Sequence, residues 1–253
     1  TRYLTHGLHP YPARMIPQIA GRLMERYARK RSFILDPFCG SGTVLVEARL
    51  HGMHSVGIDI NPLACLIAEV KSTPLNTNEL ISWWKKLKER IGKDIWSFKF
   101  RLSDVEVPDF SKTNMEYWFK PTTMKELSII RNHLKDIEEE KVRKFFEVPF
   151  SRTVREVSGV RKSEFKLLRM PENEWKKHLP DVFGIFVKHV EDAINRMAEF
   201  YKKCDKTVLS RVFMADTREM LSKSFPKEAQ ELIFENPPEA VITSPPYGDS
   251  KTT

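Results

Sequence analysis

At 253 residues, with 42 Lys and Arg against 34 Asp and Glu, the chain has room for one large domain or two small ones and carries a formal charge of +8. That basic balance favours a polyanionic partner, nucleic acid above all. The scattered Cys39, Cys65 and Cys204, without a CxxC pair, indicate neither a disulfide framework nor zinc, and the sparse histidines (His6 and His9, His51 and His54) indicate no other metal.

The chain opens on an aromatic, proline-rich leader, THGLHPYPARMIPQIAGRLMERY, and its first residue, Thr1 rather than Met, implies a trimmed amino terminus. RSFILDPFCGSGTVLVEARLHG then reads as a strand over Phe33–Leu35, a glycine turn, a helix, and Gly52 closing that helix. SVGIDINPLACLIAEV adds a second short strand and another helix. Strand, helix, strand at this spacing is a βαβ unit, which predicts a parallel sheet.

From about 75 to 206 the pattern is long and mainly helical. Leu80, Trp84, Leu87 and Ile91 recur at helical spacing, with Gly92 as the stop. Leu127, Ile130, Leu134 and Ile137 follow Thr123 and Glu126, which together have a capping-box pattern. Phe183, Phe186, Val190, Ile194, Met197 and Tyr201 make a third stripe. All three stripes predict core-facing surfaces, and Glu138–Glu140 predicts a solvated face. Strand-like patterns return in TVLSRVFMADTREM and EAVITSPPY. The expected fold class is therefore α/β: one doubly wound domain built from 1–74 and 207–253, interrupted by a helical insertion over 75–206.

The DPFCGSG turn stands where a strand hands over to a helix. Gly40 and Gly42 would let the backbone approach a ligand, and the helix amino terminus offers unpaired N–H groups. A full dinucleotide fingerprint is absent, because Leu45 occupies the third glycine position. Asp59 ends the second strand, where an acid accepts hydrogen bonds from ribose hydroxyls. Asp36, Asp59 and Asp216 each end a strand and would line one carboxyl edge of the sheet, where open α/β sheets bind ligands. Carboxylates there suit a cationic or zwitterionic ligand and would repel a pyrophosphate. A methylsulfonium nucleoside with an amino-acid tail fits such a ring of acids.

These residues resemble the S-adenosylmethionine-dependent amino-methyltransferases of DNA. DPFCGSGTVLVEA is similar to their cofactor motif, with Phe38, Gly40 and Gly42 matching and Thr43 beside the turn. GIDINP resembles the ribose motif, through Asp59 with Ile60 packing on adenine, and ADTRE the adenine-amine motif, through Asp216. Tyr11, Pro12 and Ala13 match the leader that folds over the methionine end, and Asp36 joins the cofactor set. TSPPY resembles the catalytic motif, Ser244, Pro245, Pro246 and Tyr247, in the form found chiefly in cytosine-N4 enzymes. A second Pro-Pro pair, Pro237-Pro238 in ENPPEA, lacks the aromatic residue and the preceding strand and reads as a loop. The resemblance covers residues 5–71 and 211–250. It implies a Rossmann-like class I methyltransferase sheet, S-adenosylmethionine as cofactor, and double-stranded DNA as substrate, in a prokaryotic restriction-modification setting.

In that reading, Ser244 Oγ and the Pro245 carbonyl accept hydrogen bonds from a cytosine amine. They draw its delocalised lone pair toward the sulfonium methyl, while the two prolines preorganise both acceptors. Tyr247 stacks on a base flipped out of the duplex. No cysteine lies near Tyr247 in sequence to serve cytosine-C5 chemistry. Within the insertion, SRTVREVSGVRKSEFKLLR is the densest basic segment. Arg152, Arg155, Arg161, Lys162 and Lys166 are its candidate DNA-phosphate contacts, against the alternative of a solvated basic face.

The rival activities are adenine-N6 methylation of DNA and guanine-N2 methylation of tRNA. A cofactor- or DNA-binding half of a split enzyme is a rival of another class. It is suggested by a chain that stops just after the catalytic motif, with the C-terminal strands of the sheet expected to be missing or supplied by a partner subunit. No apolar run reaches membrane length and no signal peptide is visible, so a soluble, reducing, cytoplasmic setting without a membrane partner is expected.

Overall fold

A computed structural model describes residues 2–12, 14–109, 113–161 and 167–245. The chain forms two compact units, one of residues 1–76 with 196–253 and the other of 77–195.

The first unit is built on a sheet that, among the described residues, has four strands: β1 (Phe33–Asp36), β2 (His54–Asp59), β3 (Ser210–Met214) and β4 (Ala240–Val241). Their order is β3-β2-β1-β4 and every pairing is parallel, as the βαβ spacing predicts. Strand order therefore reverses between β1 and β4, each the direct neighbour of the other in the sheet. A crevice opens at such a reversal, outside the carboxyl ends of the strands. The Asn236–Glu239 stretch with its Pro-Pro pair is the connection into β4, as expected.

Alternation along β1 sends its side chains to two cores. Ile34 packs in one cluster with Ala20 and Met24 of α1 (Pro17–Tyr27) and Val44, Leu45 and Ala48 of α2 (Thr43–Leu50). Ala68 of α3 (Pro62–Ser72) joins the same cluster. Leu35 packs in the other, with Val56, Ile58 and residues Ala229 and Ile233 of the last helix of the unit, Lys227–Glu235. Local sequence sets the helix ends. Asn61 caps α3 by accepting N–H groups of Leu63 and Ala64, with Pro62 preset at the first helical position. Gly52 takes φ +72 after α2, so it closes that helix as the sequence predicts.

The second unit is helical. It holds α4 (Thr77–Lys99), the short α5 (Met115–Trp118), α6 (Pro121–Lys135), α7 (Glu140–Val157), α8 (Glu172–Lys177) and most of α9 (Val182–Lys203); the last helix of the first unit is α10. Leu80, Trp84, Leu87 and Ile91 are buried, as are Phe186, Val190 and Ile194. Two expectations about helix ends need correction. Gly92 does not stop α4, which runs on to Lys99; a Cβ there would lie 3.3 Å from the Phe183 ring, so the glycine serves helix packing. Thr123 and Glu126 form no capping box, because the helix begins earlier, at Pro121 after Lys120. Proline at the first helical position, with its φ preset, starts that helix. Within α7, Pro149 removes one backbone donor, and the Thr153 hydroxyl bonds the Pro149 carbonyl at 2.8 Å. Among the described residues no helix is long and apolar enough to cross a membrane.

Candidate functional site

The glycine turn sits at the carboxyl end of β1. Gly40 and Gly42 have φ +48 and +77, the left-handed region that disfavours side chains. Their reasons differ. A Cβ on Gly42 would come within 2.7 Å of the Ala68 Cα, so this glycine admits α3. A Cβ on Gly40 would meet only the Tyr11 ring, at 3.7 Å, on the side that the leader covers. Both were expected to allow a ligand's approach, and at Gly42 the close packing of α3 is a further reason for a glycine. Gly57 in β2 was passed over, yet a Cβ there would strike Cys39 and Leu45 at 2.9 Å. It lets the turn lie directly on β2.

Asp59 ties the turn down. Its Oδ2 accepts the Gly40 N–H at 2.8 Å and its Oδ1 the Asn61 N–H at 2.9 Å. Ile60 follows with 67% of its surface exposed, an apolar platform at the end of β2, and Phe38 is exposed at the end of β1. Asp216 ends the segment after β3, but its carboxylate is held by Arg218, through Nε at 3.0 Å and Nη2 at 2.5 Å. That hydrogen-bonded guanidinium keeps the carboxyl below its usual range. Any ligand amine approaching Asp216 would have to share it with Arg218.

The leader is fastened to α2. The Tyr3 hydroxyl and His6 Nε2 both bond Glu47 Oε1, at 2.5 and 2.7 Å, and Arg14 donates to the His6 carbonyl at 2.8 Å. Burial lowers the His6 pKa, so the ring is neutral and donates to the Glu47 carboxylate. Beneath the turn, fully buried Lys71 donates to the Ser41 carbonyl at 2.8 Å; desolvation, helped by Arg14, drives its ammonium down to about 7.

A cavity of about 40 Å³ lies between leader and turn. Tyr11, Arg14, Asp36, Ser41, Thr43 and Ser244 are among its lining residues. It therefore joins residues from the leader, the turn and the segment after β4 across the β1–β4 reversal. Asp36 is 3% exposed, and burial pushes its carboxyl up to about 7 against the opposing effects of the Thr243 hydroxyl and the Phe38 N–H. Burial likewise pushes the Tyr11 phenol up to about 12. Cys39, whose thiol burial also drives up, is an inert packing residue.

The structure thus brings Tyr11, Asp36, Phe38, Gly40, Thr43 and Ser244 to one cavity, with Asp59 pinned to its turn. Pro12 is in the leader, and Pro245 follows Ser244 as an exposed residue. Ala13, Pro246, Tyr247, Lys162 and Lys166 lie outside the described residues. In the helical unit Arg155 and Arg161 are exposed, whereas Arg152 is paired with Asp192 at 3.1 Å. Arg14, Ser41, Lys71 and Glu47 are not singled out by the sequence, although Arg14 adjoins the leader motif and Ser41 lies within the glycine turn. Among the described residues no three His, Cys, Asp or Glu side chains gather to hold a metal.

Residues 2–70 match the family model described as DNA methylase, of the N6/N4 type. The chain is 35% identical over its full length to type II methyltransferase M.MvaI of Kocuria varians, covering 55% of that protein. It is 28% identical over 96% of its length to type II methyltransferase M.MjaII of Methanocaldococcus jannaschii, covering 59% of it. A shorter stretch, 20% of the chain, is 44% identical to a tRNA (guanine(10)-N2)-dimethyltransferase of Methanothermobacter thermautotrophicus, 16% of which it covers. The chain spans little more than half the length of the two type II relatives. No solved structure matches it.

Proposed function

With the chain a relative of the DNA amino-methyltransferases, we propose that it is the cofactor-binding and catalytic part of a site-specific DNA methyltransferase acting on the exocyclic N4 amine of cytosine. DNA methyltransferases of this family use S-adenosylmethionine, which supplies an electrophilic methyl group. The residues present suit that cofactor: Asp59 retains free lone pairs for ribose hydroxyls, Ile60 offers an apolar face to adenine, and the cavity beneath Tyr11 is lined by polar groups of both charges.

The observation that carries the reading is that Ser244 lines the same cavity as the glycine turn and Asp36. Parallel pairing of β1 with β4, continued by the Ile242 N–H bond to the Leu35 carbonyl at 3.0 Å, keeps the Ser244 segment in register with the turn. Ser244 Oγ and the Pro245 carbonyl would accept hydrogen bonds from the two N–H groups of the amine and turn its lone pair toward the methyl donor. As the methyl passed from sulfonium to nitrogen, leaving a neutral thioether, the amine would release one proton. Pro245, with its fixed φ, limits reorganisation of these acceptors. Positioning of amine against methyl supplies most of the acceleration. A serine in this place favours cytosine N4 over adenine N6, through the motif resemblance.

Double-stranded DNA with a flipped base is the proposed substrate, and exposed Arg155 and Arg161 are the proposed phosphate contacts, joined by Lys162 and Lys166. Guanine-N2 methylation of tRNA is the second reading, favoured by the short stretch of higher identity to the tRNA enzyme. Offering labelled cofactor with duplex DNA and with tRNA separates the two. Label in DNA alone is expected; label in tRNA alone would overturn the assignment.

A further inference from the structure

The two edges of the sheet carry opposite charge. Asp36, Asp59 and Asp216 stand at the carboxyl edge. At the amino edge, residues 26–31 lead from the last turn of α1 toward β1, and residues 202–211 lead from the last turn of α9 into β3. These two segments hold eight Lys and Arg, all exposed, against one acid, Asp205. Arg31 joins them, donating through Nη1 to the Thr207 hydroxyl at 2.5 Å and lying 3.6 Å from Asp205 through Nη2. Because β1 and β3 flank β2, the segments run side by side about 10 Å apart, two strand spacings.

Local causes account for part of this charge. Arg26, Lys202 and Lys203 lie in last helical turns, where cations offset the helix dipole. Arg29 is paired with Glu239 at 2.8 Å. Lys30, Lys206 and Arg211 have no such explanation: they lie beyond the helix ends and make no ion pair among the described residues. Lys206 is held over the Tyr201 ring instead, 4.3 Å from its centroid. Exposed like charges gathered in this way repel one another and attract an anionic partner. A row of cations two strand spacings long suits an extended polyanion, and duplex DNA presents one charge per about 1.7 Å of its axis. The two edges are about 20 Å apart along the six residues of β2. A straight duplex laid across the carboxyl edge therefore leaves the amino edge open to a second segment.

We propose that the amino edge of the sheet is a second, sequence-independent docking surface for duplex DNA, which holds one segment while the carboxyl edge works on another. The proposal rests on the reading of the chain as a DNA methyltransferase and adds a contact on the side away from its chemistry. Two segments held at once let the protein pass directly from one to the other without entering free solution.

A triple variant, Lys30→Gln with Lys206→Gln and Arg211→Gln, tests this, since all three side chains are exposed and remote from the turn. Thermal denaturation and cofactor titration should match the wild type. Protein bound to a long labelled duplex is then timed for release as unlabelled duplex is added. Wild-type release should quicken by about threefold or more over an about tenfold rise in competitor, the mark of direct transfer through a second contact. Release of the triple variant should not depend on competitor. Variant release that still quickens with competitor would overturn the docking surface, as would wild-type release indifferent to it. Quickening by tRNA but not by duplex DNA would assign the surface to RNA and overturn it equally. Wild-type protein that binds the cofactor but no duplex would instead overturn the DNA methyltransferase reading.

Discussion

Asp59 Oδ2 accepts the backbone N–H of Gly40 at 2.8 Å, across 19 residues of sequence, so the acid that ends β2 also fixes the turn that ends β1. One carboxylate thereby holds the turn and is also the group proposed to meet the cofactor's ribose. Asp59→Ala frees two backbone N–H groups and is expected to cost about 1–3 kcal/mol of stability. Asp59→Asn keeps an acceptor for the turn and should cost less, yet still weaken cofactor binding. Urea denaturation beside cofactor titration checks this; equal stability loss in both variants would contradict it.

The two turn glycines should respond unequally to alanine. At Gly40 the cost is mainly the left-handed backbone, about 1–2 kcal/mol. At Gly42 the same strain is joined by a collision with the Ala68 backbone, so α3 must shift and the loss should exceed 3 kcal/mol or so. Thermal denaturation of Gly40→Ala and Gly42→Ala orders them. Gly42→Ala being the milder change would refute the packing assignment.

Asp36 predicts a pH-dependent trade between stability and binding. Burial raises its carboxyl from 3.8 to about 7, so between these values the folded chain holds a proton that the unfolded chain has released. Stability contributed here therefore falls as pH rises from 4 to 7 and is flat above. Asp36→Asn removes the penalty: the variant should match the wild type near pH 4.5 and exceed it at pH 8 by up to a few kcal/mol. Cofactor affinity should fall in the same variant. A stability gap that does not widen with pH would contradict this.

Lys71 predicts the opposite slope. Its ammonium is driven from 10.5 to about 7, so from 7 to 10.5 the unfolded chain holds the extra proton and stability rises with pH. Lys71→Met should compare best with the wild type below pH 7 and progressively worse toward pH 10. It also strips the Ser41 carbonyl of its donor and should weaken cofactor binding several-fold. A pH-independent difference would refute a lysine whose ammonium burial drives down.

The glycine turn, its strand-end acids and the helical stripes were legible in sequence because each is written in local spacing. The helix ends at Gly92 and Thr123 are not legible from local spacing, because a glycine against a ring and a proline two residues earlier have tertiary or competing local causes. Ser41 and Lys71 were invisible for a related reason. Nothing local marks Ser41 as a buried hydroxyl without a partner, and Lys71 reads as an ordinary helix-end lysine until α3 packs beneath the turn. The adjacency of Ser244 to Asp36 needed the β4–β1 pairing, which joins segments more than 200 residues apart.

The central claim is that Ser244 holds a cytosine amine against the methyl donor, and the nucleoside made from it is the most direct test. Unmethylated duplex DNA incubated with the protein and labelled S-adenosylmethionine is digested to nucleosides and separated by mass. The account predicts label in N4-methylcytosine, lost on Ser244→Ala with cofactor affinity unchanged. Label in N6-methyladenine, or N4-methylcytosine undiminished in Ser244→Ala, would contradict it.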